Sequence, residues 1–183
     1  MNVDILTTKK KYKIIYADPP WQYQQAGRGA AKNHYDTMPL EKMCELPIRD
    51  IKTDDAICFM WATFPNIAEA LLLMKQWGFT YKTAAFVWVK KNKKNGSNFW
   101  GMGQYTRANA EICLLGVSKG TKAQKVVVSH KVHQIIEAAV GRHSAKPQEA
   151  RDRIVELTGG GARIELFARE AADGWDCWGN EAP

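Results

Sequence analysis

The sequence alternates short apolar runs with stretches of helical period, and this alternation limits most strongly how the chain can fold. Runs rich in β-branched and aromatic residues predict strands over residues 13–17, 56–61, 81–89, 111–117 and 163–168, with a short strand at 125–129. Apolar residues at helical spacing predict helices over 66–77 and 147–157, which end at the glycines that follow. Strands alternating with helices predict an α/β fold, a mostly parallel sheet with helices on both faces.

Composition narrows the class of protein further. With 183 residues, 45% of them apolar, the chain fits one globular domain over residues 1–183. The longest uncharged apolar runs, 56–62 and 84–89, fall far short of the roughly 20 residues that a membrane helix needs. Four scattered cysteines without a CxxC pair, and no visible secretory signal, lead us to expect a cytoplasmic protein. His130 and His133 have no evident third ligand nearby, so we expect no metal site.

Positive charge is concentrated in the middle of the chain. The net charge is +7, and residues 82–131 hold nine lysines and Arg107 against a single acid, Glu111. A concentrated basic region is typical of proteins that bind a polyanion such as nucleic acid. A solvated lysine face that keeps the protein soluble explains the charge equally well.

Two long polar segments, 22–37 and 90–109, interrupt the strand and helix pattern. Long loops in a compact domain are usually functional or disordered. The second segment adds Phe99, Trp100 and Tyr105 to its basic residues, a mixture typical of nucleic-acid contacts. We therefore expect phosphate contacts from six basic side chains: Arg28, Lys32, Lys90, Lys91, Lys93 and Lys94.

The tetrapeptide Asp18-Pro19-Pro20-Trp21 directly follows the first predicted strand. A primary aromatic amine, such as that of adenine, carries two N–H donors and needs two fixed acceptors. The Asp18 carboxylate and the Pro19 carbonyl supply one acceptor each, and two consecutive prolines restrict the backbone that holds them. Trp21 offers a flat face on which a base can stack. The alternative is a plain strand-ending turn with a tryptophan in the core.

Eight short segments carry a resemblance over most of the chain: YADPPW at 16–21, HYDTM at 34–38, FMWAT at 59–63, FVWVK at 86–90, AEICLLGV at 110–117, KP at 146–147, IELFAR at 164–169 and GW…WGN at 174–180. In this order the sequence resembles the adenine-N6 methyltransferases typified by the catalytic subunit of the messenger-RNA adenosine methyltransferase. That family includes small bacterial and phage DNA adenine methyltransferases. The resemblance implies a Rossmann-like fold that uses S-adenosylmethionine, in a permuted order with the catalytic segment first and the cofactor segment last.

The resemblance also implies roles for individual residues. It makes the turn catalytic, through Asp18, Pro19, Pro20 and Trp21. It implies cofactor contacts from Asp18, Lys146, Glu165, Arg169 and Asn180. It implies an adenine pocket lined by Trp21, Tyr35 and Trp61, although core packing is the alternative for these aromatic residues. Lys146 also precedes a predicted helix, whose N-terminal N–H groups favour an anion. The chain departs from the family's terminal GNQ at Glu181.

These observations lead us to expect methyl transfer from S-adenosylmethionine to the N6 amine of adenine in nucleic acid. The short chain, without a zinc finger or other accessory segment, favours DNA over RNA. Two alternatives stay open: an RNA adenosine methyltransferase, and a non-catalytic nucleic-acid-binding subunit of the same fold. The non-catalytic subunits of the family lose the acid-Pro-Pro-aromatic tetrapeptide, which this chain keeps. The sequence leaves a homodimer or a partner subunit equally open.

Overall fold

The computed structural model describes residues 1–22, 37–103, 105–141 and 145–180. Its strands form one sheet and are β1 (Tyr12–Ala17), β2 (Lys52–Ala62), β3 (Phe79–Lys91), β4 (Ala110–Ser118), β5 (Ile135–Ala139), β6 (Arg163–Leu166) and β7 (Asp176–Trp178). Its helices are α1 (Leu40–Glu45), α2 (Ile48–Ile51), α3 (Ile67–Gln76) and α4 (Gln148–Thr158), with 3₁₀ turns at Phe64–Asn66 and Ala123–Lys125. No helix in these described ranges is both long and apolar enough to cross a bilayer.

The strand directions bring the ends of most strands to one edge of the sheet. The strand order is β5-β3-β4-β2-β1-β6-β7, and β4 runs antiparallel to both of its neighbours. The other neighbouring pairs are parallel, which confirms the mostly parallel α/β sheet. The strands other than β4 therefore end at the same edge, where β4 begins. Ligands of α/β sheets bind outside this carboxyl edge.

Helices cover both faces, because successive residues of a strand point to opposite sides of the sheet. Ile15 and Met60 face the cluster that includes the buried side of α3. Their neighbours Ile14 and Phe59 face the cluster that includes the buried residues of α4. The same alternation determines the direction of Asp18, which follows β1. Asp18 is four residues after Ile14, so its side chain points to the same side of the sheet, the α4 face.

β1 lies in the middle of the sheet between β2 and β6. Its residues from Ile14 to Ala17 are at most 1% exposed, as the β-branched and aromatic run predicts. The strand ends at Pro19 and Pro20, which have no N–H to donate to a ladder. The last backbone bond joins the Asp18 N–H to the Leu166 carbonyl of β6 at 3.4 Å, so the catalytic turn of the prediction starts at the sheet edge.

The strand predicted at 125–129 is wrong. The chain there leaves the 3₁₀ turn, and the Val127 N–H donates to the Ala123 carbonyl. The Val128 N–H donates to the Leu157 carbonyl of α4, so these β-branched residues pack beside a helix rather than a strand. The fifth strand is β5, which pairs with β3, and the sequence pattern missed it together with β7, α1 and α2.

Candidate active site

Four charged side chains from four separate segments meet at the carboxyl edge of the sheet. Asp18 follows β1, Lys90 lies near the end of β3, Glu111 lies at the start of β4, and Lys146 shortly precedes α4. The sheet order brings them together because β3, β4, β2 and β1 are consecutive neighbours. Two carboxylates and two ammonium groups make this charge cluster neutral.

The ammonium group of Lys146 bridges the two carboxylates. Its Nζ lies 2.8 Å from Asp18 Oδ2 and 3.3 Å from Glu111 Oε2. Lys90 Nζ lies 2.5 Å from the other oxygen of Glu111, Oε1. The side chains of Lys146 and Glu111 are only 9% and 8% exposed, so these pairs are held largely away from water. Asp18 therefore lies at the carboxyl edge of the sheet, and its negative charge is balanced by the ammonium group of Lys146.

The charged states of the inner groups are fixed by their neighbours. Burial by itself would raise the pKa of Glu111, but the ammonium groups of Lys146 and Lys90 outweigh it and lower that pKa below its usual range. Burial likewise acts to lower the pKa of Lys146, and the carboxylates of Asp18 and Glu111 outweigh it and raise that pKa. Both groups are consequently ionised at neutral pH.

Tryptophan rings support the two ammonium groups. Trp61 is fully buried, and its indole N–H donates to the Tyr16 hydroxyl at 2.7 Å. Lys146 Nζ lies 5.9 Å from the centre of the Trp61 ring, and Lys90 Nζ lies 5.0 Å from that of Trp88, both within cation–π range. Trp61 therefore lies beneath the charge cluster and does not line an open adenine pocket in this structure. The packed aromatic core of the α4 face covers its ring.

The Asp18–Trp21 turn is closed by its own backbone. The Trp21 N–H donates to the Pro19 carbonyl at 2.9 Å, and the Met38 N–H donates to the Pro20 carbonyl at 3.0 Å. A carbonyl oxygen has two lone pairs, so Pro19 keeps one for a further donor. The two acceptors predicted from the tetrapeptide, the Asp18 carboxylate and the Pro19 carbonyl, are thus adjacent on a fixed turn.

Trp21 anchors this turn in the core. Its side chain belongs to the cluster on the α3 face and the residue is 7% exposed. Its indole N–H donates to the Trp61 carbonyl at 3.1 Å. This placement differs from the expected stacking platform, because the large aromatic surface is better buried against the core than left open at the edge. In this conformation Trp21 has no free face for a base.

Glu165 is held by an arginine that sequence reasoning missed. Arg151 of α4 donates to both of its carboxylate oxygens, from Nε at 2.7 Å and from Nη2 at 2.9 Å. Burial, together with the nearby carboxylates of Asp18 and Glu170, raises the pKa of Glu165 although the Arg151 guanidinium acts to lower it. The pair fastens α4 to β6. The cofactor contact of Glu165 remains a prediction. It would use the lone pairs of the Glu165 carboxylate that do not accept hydrogen bonds from Arg151.

The chain that leaves β6 is strained. Phe167 has φ of 60°, the one positive value among the described residues other than glycine, and bulky residues rarely adopt it. Its ring lies 6.4 Å from that of Trp77 and 5.4 Å from that of Trp178. A Cβ at Gly179 would lie 2.5 Å from the Ala168 carbonyl oxygen, so only glycine fits there. The IELFAR and WGN segments are therefore packed together, and their contacts hold Phe167 in its strained backbone conformation.

The remaining predicted cofactor residues lie near these two segments. Arg169 is half-buried and follows β6, while Asn180 is exposed and follows β7. Their roles in cofactor binding stay predictions. Arg28, Lys32 and Tyr35 lie outside the described residues. Among the described residues, no three His, Cys, Asp or Glu side chains are close enough together to hold a metal ion.

Two of the lysines expected to contact phosphate are paired with acids. Lys90 joins Glu111 in the charge cluster, and Lys91 Nζ lies 2.8 Å from Glu137 Oε1. Each of them neutralises a nearby carboxylate in this conformation, and their expected phosphate contacts stay predictions. Lys93 and Lys94 are exposed.

Glu111 is the second residue of the candidate site that sequence reasoning missed. It lies inside the AEICLLGV segment and is the single acid among residues 82–131, and that isolation is the signal that marks it. Its contacts depend on the position of β4 between β2 and β3, which no local sequence pattern encodes.

Comparison with known proteins identifies the family. The MT-A70 family model matches residues 12–181, from the start of β1 to beyond the end of β7. The chain belongs to the MT-A70 family. This MT-A70 protein is 36% identical over 194 residues to the Type II methyltransferase M.MunI of Mycoplasma sp, a match that covers 96% of this chain and 79% of that one.

Two eukaryotic relatives are more distant. The Arabidopsis thaliana protein named N(6)-adenosine-methyltransferase MT-A70-like is 27% identical, over 98% of this chain and 24% of its own. The N(6)-adenosine-methyltransferase catalytic subunit METTL3 of Homo sapiens is 28% identical, over 93% of this chain and 28% of its own. The MT-A70 chain thus spans about a quarter of these relatives. The matches confirm the family predicted from the sequence, that of the adenine-N6 methyltransferases.

Proposed function

We propose that this MT-A70 protein transfers a methyl group from S-adenosylmethionine to the N6 amine of adenine in DNA. The observation that carries the proposal is the Asp18–Lys146 pair at 2.8 Å, on a proline-rich turn at the carboxyl edge of the sheet. An acid in this position accepts hydrogen bonds from an amine, and the lysine behind it balances its charge. Family membership supports the reaction type.

The charges at the sheet edge suit S-adenosylmethionine. Its amino-acid end carries a carboxylate and an ammonium group, and when bound it supplies a methyl group on an electrophilic sulfonium. Lys146 would hold the carboxylate and Asp18 would face the positive groups. Glu111 keeps Lys146 paired when Asp18 is engaged elsewhere, so neither buried charge loses its partner. We assign further contacts to Glu165, Arg169 and Asn180 near the ends of β6 and β7.

The turn would hold the adenine amine by accepting one hydrogen bond from each of its two N–H groups. One N–H would donate to the free lone pairs of Asp18 and the other to the second lone pair of the Pro19 carbonyl. Pro20 restricts the backbone, and Trp21 fixes it to the core through the Trp61 carbonyl. Because the acceptors are in place before the amine arrives, little reorganisation is needed during the reaction.

Nucleic acid must deliver the adenine to this turn. An adenine in a duplex would have to rotate out of the base stack, which costs a few kcal/mol. Exposed lysines at 93 and 94 supply positive charge for the phosphates on the same side of the sheet as Lys90. In this proposal a single domain at 1–183 works in the cytoplasm, with the catalytic segment before the cofactor segment in the chain.

We prefer DNA to RNA because the chain is 36% identical to a Type II methyltransferase but only 27% and 28% identical to the adenosine methyltransferases. The experiment transfers labelled methyl groups to matched DNA and RNA oligonucleotides and then analyses the nucleosides. We expect N6-methyldeoxyadenosine. Label in adenosine of the RNA alone would reassign the substrate, and label on cytosine or on protein would reject the function.

A further inference from the structure

The segment between β3 and β4 presents large apolar side chains to solvent. We call residues 99–103 and 105–109 the aromatic arm. Trp100 is 73% exposed, Met102 is 93% exposed and Tyr105 is 99% exposed. Large apolar residues exposed together over a short stretch of chain mark an interaction site rather than an ordinary surface.

Backbone hydrogen bonds hold the shape of the aromatic arm. The Phe99 N–H donates to the Lys90 carbonyl at 2.8 Å, and the Gly101 N–H donates to the Ala108 carbonyl at 2.9 Å. A Cβ at Gly101 would lie 2.1 Å from that Ala108 oxygen, so the two sides of the arm approach too closely for another residue. The exposed rings are thus carried on a preformed support, which reduces the ordering cost of binding.

The aromatic arm is joined to the charge cluster through Lys90. The Lys90 N–H donates to the Asn109 carbonyl at 2.8 Å, while the Lys90 ammonium group pairs with Glu111. Glu111 in turn contacts Lys146, the partner of Asp18. The end of the arm at Asn109 is therefore next to the site proposed for the target adenine.

The positive charge around the aromatic arm indicates what kind of partner the arm would bind. Residues 90–109 contain four lysines and one arginine and no acid. Lys93, Lys94 and Arg107 are exposed and make no ion pair within the described part of the chain. Exposed rings beside unpaired positive charge fit a polyanion that has flat faces, as unpaired nucleic acid does.

We propose that the aromatic arm is a base-stacking site for unpaired nucleic acid beside the target adenine. Trp100 and Tyr105 stack on bases, and Lys93, Lys94 and Arg107 contact the phosphates. The inference rests on the proposed function and adds a second nucleic-acid contact to it. It also supplies the stacking surface that buried Trp21 does not offer.

Tryptophan fluorescence tests the stacking directly. Trp100 is the one strongly exposed tryptophan of the seven, all of which lie in the described ranges. A single-stranded oligonucleotide that contains adenine should quench the long-wavelength emission of the wild-type protein, and Trp100→Phe should lose that quenching. Tyr105→Ala and Trp100→Ala should each weaken binding roughly five- to hundredfold, since stacking on one ring is worth that much.

The control is Leu6→Ala, which removes a side chain that is 69% exposed elsewhere on the protein and should leave affinity unchanged. Melting curves establish that each variant is folded. Unchanged oligonucleotide affinity in both arm variants would overturn the inference. So would a change of self-association on sedimentation with no change in that affinity, which would make the arm an interface between copies.

The two proposals fail in different ways. If the wild type methylates oligonucleotides and the arm variants do so with unchanged KM, the arm inference alone is rejected. If the wild type methylates neither DNA nor RNA, the proposed function is rejected, and the quenching measurement still decides whether the arm binds bases.

Discussion

Lys146 Nζ lies 2.8 Å from Asp18 Oδ2, although 128 residues separate the two along the chain. The contact exists because β1 ends at the sheet edge to which the chain returns before α4. It joins the acid of the proline-rich turn to a lysine that has a second acid, Glu111, within 3.3 Å. From the arrangement of Asp18, Lys146 and Glu111 we expect separate effects on methyl transfer and on the stability of the fold.

Asp18→Ala should abolish methyl transfer and leave the protein folded. The variant loses one of the two acceptors for the amine, whereas Lys146 keeps Glu111 as a partner and is not left as an uncompensated buried charge. Labelled methyl transfer measures the first effect and thermal unfolding the second. The matched control is Asp54→Ala, at an exposed position near the start of β2 and so at the opposite edge. Methylation retained by Asp18→Ala would remove that residue from the mechanism.

Glu111→Gln should lower the free energy of unfolding at neutral pH by about 3 kcal/mol, the effect expected when a buried ion pair loses one partner. Because the folded-state pKa of Glu111 is below its usual 4.5, its stabilisation is fully present above that pH. It is lost as the pH falls through the lowered pKa. The difference between wild type and variant should therefore shrink in acid, as measured by denaturant unfolding at several pH values.

The control for this series is Glu45→Gln, which removes the exposed partner of Lys42 and should not change stability measurably. A Glu111→Gln effect that stayed constant from neutral to strongly acidic pH would show that the carboxylate charge is not what stabilises the cluster.

Arg151→Met should destabilise the fold by about 3–5 kcal/mol, since it leaves the buried Glu165 carboxylate without its bidentate partner. Adding Glu165→Gln to this variant should restore part of the loss, so the two effects should not add. Glu165→Gln alone separates two roles. A raised KM for S-adenosylmethionine supports the predicted cofactor contact, while lowered stability with unchanged KM restricts Glu165 to structure.

Lys93→Gln and Lys94→Gln should each reduce the slope of log affinity against log salt by about 0.9 if each lysine neutralises one phosphate of duplex DNA. Lys119→Gln, an exposed lysine just after β4 at the opposite edge, should not change the slope. Titrations at several salt concentrations measure this directly. Binding that does not vary with salt would reject the phosphate contacts altogether.

The main elements of the fold were predictable because their signals are local. The run at 14–17 is apolar without interruption, and the helical period over 66–77 marks one face of α3. The segment 125–129 misled because three consecutive valines favour a strand, yet the N–H groups of Val127 and Val128 donate to the Ala123 carbonyl and to the Leu157 carbonyl of α4 instead of to a strand. β5 was missed because its pairing with β3, and not its own composition, makes it a strand.

The site was predictable only in part. Asp18 stands in a rare tetrapeptide, and Lys146 precedes a helix start, so both could be named from the sequence. Their contact with Glu111 depends on strand order, which no local pattern encodes. The burial of Trp21 and Trp61 depends in the same way on which face of the sheet each residue meets.

The most direct test of the proposal is a crystal structure with a non-reactive S-adenosylmethionine analogue and an oligonucleotide that contains the target adenine. We predict that the adenine N6 atom lies within hydrogen-bond distance of both the Asp18 carboxylate and the Pro19 carbonyl oxygen, with Lys146 on the analogue's carboxylate. An N6 atom that contacts neither acceptor, or an analogue bound away from this turn, would contradict the account.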